Sequence, residues 1–128
     1  MTLLLDTHLV LWALIWPDRL SDDARHLISD PENRLLFSVV TIWEVAIKTA
    51  LRRPDFTTDP AALHRKLLDD AFEELAVNGA HAIATGGLPH IHRDPFDRLL
   101  LAQAMVEGVT LLTADPVLAR YSGPVRLV

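Results

Sequence analysis

Short apolar runs alternate with amphipathic segments along this chain, and that alternation limits its fold more than any other feature. The runs at 3–5, 35–38 and 110–113 have the length of buried strands, and each precedes a segment with helical spacing of apolar residues. Strands separated by helices are joined by right-handed crossovers, which make the strands parallel and cover both faces of the sheet. We therefore predict an α/β protein with three α/β/α layers and a mainly parallel central sheet.

Caps and helix breakers set the predicted element boundaries. Pro17 stops the helix after the first strand, Asn78 caps a short helix, and Gly108 ends a strong helix that begins at Pro95. The predicted strands cover about 3–5, 35–38, 74–77, 110–113 and 125–128, and the predicted helices about 8–16, 21–29, 41–51, 60–71, 78–87, 95–107 and 116–121. No repeat or linker interrupts the sequence, so we expect one domain over residues 1–128.

The composition excludes several classes of protein. There is no cysteine, which rules out disulfides, thiolate zinc sites and cysteine nucleophiles and fits a reducing cytoplasm. No apolar run reaches the roughly 18 residues of a membrane span. The run at 9–17 is too short and lacks the basic flank of a signal peptide. The net charge of −5 argues against broad neutralisation of phosphates but allows a nuclease whose acids recruit cations.

Three acidic residues occupy predicted strand-to-helix junctions. Asp6 ends the first strand, Glu44 falls in the first turn after the second, and Asp115 follows the strand 110–113. In a parallel sheet these junctions share the carboxyl edge, where open α/β folds place their sites. Asp97, in the first turn of the helix that leads into that strand, is the fourth candidate.

Each acid also has a purely local interpretation. Glu44 could form a capping box with Thr41 and an i,i+4 ion pair with Lys48. The helix at 95–107 could use its nearby acids as a cap and as partners of the helix dipole. The residues in these local roles are Asp94 as N-cap, Asp97 in the first turn, Arg98 as the i,i+4 partner of Asp94, and Asp115 as the N-cap before Pro116.

Asp97 is the hardest acid to explain locally. Helical geometry places it on the stripe of Leu101 and Ala104, whereas Gln103 and Glu107 mark a more solvated side. A carboxylate on an apolar face is costly, and several acids held together raise one another's pKa values unless a cation neutralises them. Oxygen ligands without cysteine suit Mg²⁺ or Mn²⁺, and one or two such ions catalyse displacement at phosphodiesters. The sequence thus predicts an acidic metal pocket formed by Asp6, Glu44, Asp97 and Asp115.

Three segments at these junctions resemble the PIN-domain ribonucleases of the VapC toxin type. They read LLLDTHLVLWAL at 3–14, FSVVTIWEVAIK at 37–48 and HRDPFDRLLLAQAMVEGVTLLTAD at 92–115. The resemblance runs from residue 3 to the end of the sequence, in order and spacing. It implies a PIN fold and metal-dependent endonucleolytic cleavage of RNA, with tRNA as a candidate substrate.

The resemblance also implies roles for individual residues and for partners. The catalytic acids fall on the four residues of the predicted pocket. Family members commonly form homodimers and are held inactive by a cognate antitoxin, often a DNA-binding protein whose tail reaches the site. The supporting positions are Thr7 and Thr113, which would orient an acid or a water; Asp94, an additional acid; and Lys48 and Arg98, which would meet RNA phosphates unless they only form ion pairs.

Other functions fit the sequence less well. His90, His92 and Asp94 resemble an incomplete zinc cluster, which we do not favour. A phosphatase with an aspartyl intermediate needs a second Asp at the position of His8, and a receiver module needs an acidic pair and a phospho-accepting Asp that are missing. The main alternative is a catalytically silent PIN-like module that binds RNA or protein.

Overall fold

Residues 1–128 form a five-stranded, fully parallel sheet with helices on both faces in the computed structural model. The strands are β1 (Thr2–Leu5), β2 (Arg34–Ser38), β3 (Glu73–Leu75), β4 (Thr110–Thr113) and β5 (Val125–Leu127). The helices are α1 (Thr7–Leu14), α2 (Asp22–Ser29), α3 (Val39–Ala50), α4 (Pro60–Asp69), α5 (Gly79–Thr85) and α6 (Pro95–Glu107), with short 3-10 turns at Pro17–Arg19 and Leu118–Arg120. The predicted three-layer α/β/α fold is confirmed.

The strand order β3-β2-β1-β4-β5 places β1 in the centre of the sheet. From β1 the chain builds outward to β3 on one side and then crosses over to β4 and β5 on the other. In open parallel sheets, such a reversal leaves a crevice at the carboxyl ends of the two central strands. The residues that follow β1 and β4 therefore lie where folds of this kind bind their ligands.

Alternate residues of the strands serve the two faces of the sheet. In β1, Leu3 and Leu5 point into one core cluster and Leu4 into the other, and all three are fully buried. This period of two is the reason why an almost uniformly apolar strand can hold a helical layer on each side. The first cluster includes Val10 of α1, Ala24 of α2, Val45 of α3 and Leu63 of α4; the second includes Leu100 and Leu101 of α6, with Ala84 of α5 packed against it.

Side-chain caps fix the starts of the helices that border the crevice. Asp6 Oδ1 accepts a hydrogen bond from the Leu9 N–H at 2.9 Å, and Ser38 Oγ accepts one from the Val40 N–H at 3.0 Å. Asp94 Oδ1 caps α6 by accepting from the Phe96 N–H at 2.9 Å, and Gly108 ends this helix with a φ of +67°, as predicted. None of the helices combines the length and apolar character that crossing a bilayer requires.

Three local predictions are wrong. The capping box of Thr41 with Glu44 does not form, because α3 begins at Val39 and Ser38 is its cap. The helix predicted at 116–121 is only the 3-10 turn Leu118–Arg120, since the N–H groups of Arg120 and Tyr121 donate to carbonyls three residues earlier. Gln103 is not solvated: it is fully buried, and its Oε1 accepts a hydrogen bond from Ser38 Oγ at 2.5 Å.

Candidate active site

Asp6 directly follows β1, Asp115 lies two residues after the end of β4, and the two acids are linked through one hydroxyl. Thr113 Oγ1 donates a hydrogen bond to Asp6 Oδ2 and accepts one from the backbone N–H of Asp115 at 2.9 Å. The remaining oxygen of Asp6 caps α1, and Asp115 Oδ1 accepts from the Val117 N–H at 2.9 Å. Both carboxylates therefore have fixed orientations at the mouth of the crevice.

Glu44 is buried on α3, and each of its oxygens has a partner. Oε1 accepts a hydrogen bond from Thr7 Oγ1 at 2.7 Å, and Oε2 lies 2.5 Å from Lys48 Nζ. The predicted Glu44–Lys48 ion pair is confirmed. The Lys48 ammonium also lies over the rings of Phe56 and Phe96, at 5.0 Å and 5.4 Å from their centroids. Lys48 thus balances the charge of Glu44 while its ammonium group contacts two aromatic rings.

Asp97, in the first turn of α6, lies close enough to the other acids for their charges to raise its pKa. Leu101 and Ala104, on the same stripe of the helix, are fully buried, as the helical geometry predicts. The pKa of Asp97 is raised to about 8, first by burial and then by the negative charges of four acids, Asp94, Asp6, Glu44 and Asp115. Burial also raises the pKa of Asp6 above its usual range. The structure thus brings the four predicted acids into one environment; their catalytic roles stay a prediction.

His92 completes this cluster, and the sequence reasoning missed it. Its Nε2 lies 3.0 Å from Asp97 Oδ2 and 2.8 Å from Asp115 Oδ2, and the three atoms lie within 4.8 Å of one another. The sequence grouped this residue with His90, but the His90 side chain is exposed and does not join the cluster. The contact with Asp115 spans 23 residues of sequence, so only the tertiary fold reveals it.

Arg98 shapes the loop before α6 and does not pair with Asp94. That predicted ion pair is wrong, because the Asp94 carboxylate turns back to cap α6. The guanidinium donates instead to the carbonyl groups of Pro89 at 2.9 Å and Thr85 at 3.1 Å, and to the hydroxyl of Tyr121 at 3.1 Å. With these donors engaged, Arg98 acts mainly on the conformation of the segment that carries His92.

An apolar groove lies beside the acidic cluster. It has a volume of about 470 Å³ and is lined in part by Trp43, Phe96 and Leu99. Trp43 is 55% exposed, and its ring meets that of Phe96 edge-on with 5.2 Å between the ring centroids. Trp43 therefore does not belong to the core.

The donor set of the cluster fits a hard divalent cation. Carboxylate oxygens dominate it, and the only ion pairs of Asp97 and Asp115 are those with His92. The side chains of Asp97 and Asp115 are 17% and 33% exposed and have no lysine or arginine partner, so a bound cation would stabilise their ionised forms. Asp6, Glu44, Asp97 and Asp115 are the residues that are predicted to hold such an ion.

Comparisons with known proteins give a family from the sequence and a similar fold among solved structures. The family model for the PIN domain matches residues 3–124. Rickettsia felis VapBC2 bound to promoter DNA superimposes with a TM-score of 0.73 at 15% identity, covering 99% of this chain and 98% of the other. A Klebsiella pneumoniae toxin–antitoxin complex superimposes with a TM-score of 0.65 at 15% identity, covering 96% of this chain and 94% of the other. Haemophilus influenzae VapBC-1 superimposes with a TM-score of 0.60 at 21% identity, covering 91% of this chain and 88% of the other. No curated protein matches the sequence significantly.

Proposed function

The chain belongs to the PIN-domain family, and on that basis we propose that it is a metal-dependent endoribonuclease that hydrolyses RNA phosphodiester bonds. PIN domains are generally nucleases. The observation that carries the proposal is geometric: Asp97 and Asp115 meet at His92 Nε2, and Thr113 links Asp115 to Asp6. Glu44 is near enough for its charge to raise the pKa of Asp97. We take residues 1–128 as one catalytic domain.

The residues of the pocket have distinct parts in this proposal. Asp6, Glu44, Asp97 and Asp115 would hold Mg²⁺ or Mn²⁺, and such a cation would supply the positive charge that stabilises the transition state of in-line displacement at phosphorus. Thr113 orients Asp6 by donating a hydrogen bond to it. On the other side, Thr7 orients Glu44 and Lys48 balances its charge. The hydrogen bonds fix the carboxylates before any ion binds, which lowers the cost of organising the site.

A direct assay separates this proposal from a catalytically silent RNA-binding or protein-binding module. We expect the purified protein to cleave single-stranded RNA internally in Mg²⁺ or Mn²⁺, to lose all cleavage in EDTA, and to regain it when either ion is added back. Gel analysis of a labelled RNA measures the cut sites. Binding of RNA with no cleavage in either ion would favour the silent module, and cleavage that survives EDTA would contradict the metal mechanism.

The solved structures of similar fold support a proposal about partners. They are toxin–antitoxin complexes, so we propose that this chain is the toxin of a type II pair and that a cognate antitoxin holds it inactive. We further propose that it acts as a homodimer in the cytoplasm, where its RNA substrates are found, with tRNA as the first substrate to test.

Expression alone should therefore arrest growth. We expect a host that expresses the wild-type chain to stop dividing within a few generations, and co-expression of the small gene adjacent to its own to restore growth. Colony counts after induction measure both effects. The matched control is expression of Asp97→Asn. This variant should be harmless because it lacks one of the four acids that the proposed cleavage requires. Arrest by that variant as well would trace toxicity to something other than cleavage.

A further inference from the structure

The loop before α6 holds the imidazole of His92 in one tautomer. Its Nδ1 accepts a hydrogen bond from the backbone N–H of Asp94 at 3.1 Å. A ring nitrogen that accepts from an N–H carries no hydrogen, so the ring proton of the neutral imidazole sits on Nε2. That Nε2 is the atom that lies within 3.0 Å of both Asp97 and Asp115. His92 therefore presents an N–H, and not a lone pair, to the two carboxylates.

Two side chains fix the backbone from which His92 projects. The Tyr121 hydroxyl accepts a hydrogen bond from the backbone N–H of His92 at 2.8 Å and donates one to the carbonyl of Pro89 at 2.9 Å. Arg98 donates to the same hydroxyl and to the same carbonyl. The opposite tautomer would place a hydrogen on Nδ1 against the N–H of Asp94, and this braced loop gives the ring no room to avoid that clash by moving its backbone.

We propose that His92 is a positioning residue that holds Asp97 and Asp115 together through its Nε2–H and does not itself ligate the cation. The inference rests on the proposed nuclease function, because it assigns a part in the same site. A carboxylate oxygen that accepts one hydrogen bond keeps a second lone pair for an ion. The site then binds through oxygen alone, which favours Mg²⁺ or Mn²⁺ over the nitrogen-preferring Zn²⁺ and Ni²⁺.

Nitrogen NMR of the wild-type protein with isotopically labelled histidine tests this assignment without any activity assay. We expect His92 to show a protonated Nε2 and an unprotonated Nδ1 both in EDTA and in saturating Mg²⁺. Loss of the Nε2 proton when Mg²⁺ binds would make His92 a ligand and overturn the proposal. The exposed His90 of the same loop provides an internal reference. The result is independent of RNA cleavage, so a failed nuclease assay and a failed tautomer assignment are distinguishable.

Variants of the two loop histidines provide a second readout. Loss of a residue that orients metal ligands typically lowers metal affinity by about 10–100-fold. We therefore expect His92→Ala to weaken Mn²⁺ binding by at least about 10-fold in calorimetry, and His90→Ala to leave it unchanged. His92→Gln should restore part of the affinity, because its amide nitrogen is as many bonds from Cβ as Nε2. Wild-type affinity in His92→Ala, or a loss confined to Zn²⁺ and Ni²⁺, would overturn the proposal.

Discussion

Asp97→Asn will abolish metal-dependent RNA cleavage while making the metal-free protein more stable at pH 8. The amide keeps the shape of the side chain but removes the carboxylate that would ligate the cation, and it cannot ionise beside the other acids. Loss of a residue that only orients metal ligands lowers metal affinity or activity by about 10–100-fold. We therefore expect loss of a direct ligand to lower the cleavage rate by at least about 100-fold. A gel assay in Mg²⁺ and in Mn²⁺ measures it. Undiminished cleavage would remove Asp97 from the mechanism.

The stability gain follows from the sign of the pKa change. The carboxyl group of Asp97 has a pKa of about 8 in the folded protein against 3.8 as a model group, so the folded state retains a proton that the unfolded chain releases between these pH values. The unfolding free energy of the metal-free protein therefore falls as the pH rises from about 4 to about 8, by about 1.4 kcal/mol for each pH unit.

Asparagine cannot ionise and escapes this loss. In EDTA, the melting temperature of the wild-type protein should drop more between pH 5 and pH 8 than that of Asp97→Asn. Asp69→Asn, which changes an exposed acid of α4, is the matched control and should follow the wild type. Equal pH sensitivity of the Asp97 variant and the wild type would show that Asp97 is not the group that titrates.

Lys48→Met will destabilise the metal-free protein by about 3 kcal/mol, because removing one partner of a buried ion pair strands the other charge. The Glu44 side chain is only 2% exposed, whereas that of Lys48 is 21% exposed, so the expected loss lies at the low end of the range for such pairs. Methionine keeps the packing against Phe56 and Phe96 without the charge. We expect the melting temperature to fall by about 10 °C.

Two further measurements attribute the effect. Glu44→Gln combined with Lys48→Met should recover most of the lost stability, since no charge is then left buried. If Glu44 belongs to the metal pocket, Mn²⁺ should reduce the difference in melting temperature between Lys48→Met and the wild type. A difference in melting temperature that Mn²⁺ leaves unchanged would exclude Glu44 from the pocket. A double variant as unstable as Lys48→Met would show that the buried charge of Glu44 is not the cause of the instability.

The features that sequence predicts well here depend on neighbours along the chain. Asp6 and Asp115 reach the same edge because each lies within two residues of the end of a strand, and parallel strands align their ends. The period of 3.6 residues sufficed to place Asp97 on the buried stripe of α6. The cap of α6 at Asp94 and its end at Gly108 follow from local backbone chemistry.

The features that sequence missed depend on partners far along the chain. Gln103 was expected on a solvated face, but its partner Ser38 lies 65 residues away and offers a hydroxyl inside the core. Arg98 has an acid four residues before it, and yet its fork of donors fits a cluster of loop carbonyls better. His92 needed the meeting of α6 with the end of β4 to gain its two carboxylates.

The bond between Ser38 and Gln103 does more than satisfy two polar groups. Ser38 is the cap of the helix that carries Glu44, and Gln103 lies on the helix that carries Asp97. Sliding one helix along the other by a single residue would leave the Ser38 O–H donor and the Gln103 Oε1 acceptor without each other, at a cost of about 1–3 kcal/mol for each buried group left unpaired. The bond therefore fixes the position of α3 along α6. In this way a contact remote from the crevice sets the distance between Glu44 and Asp97.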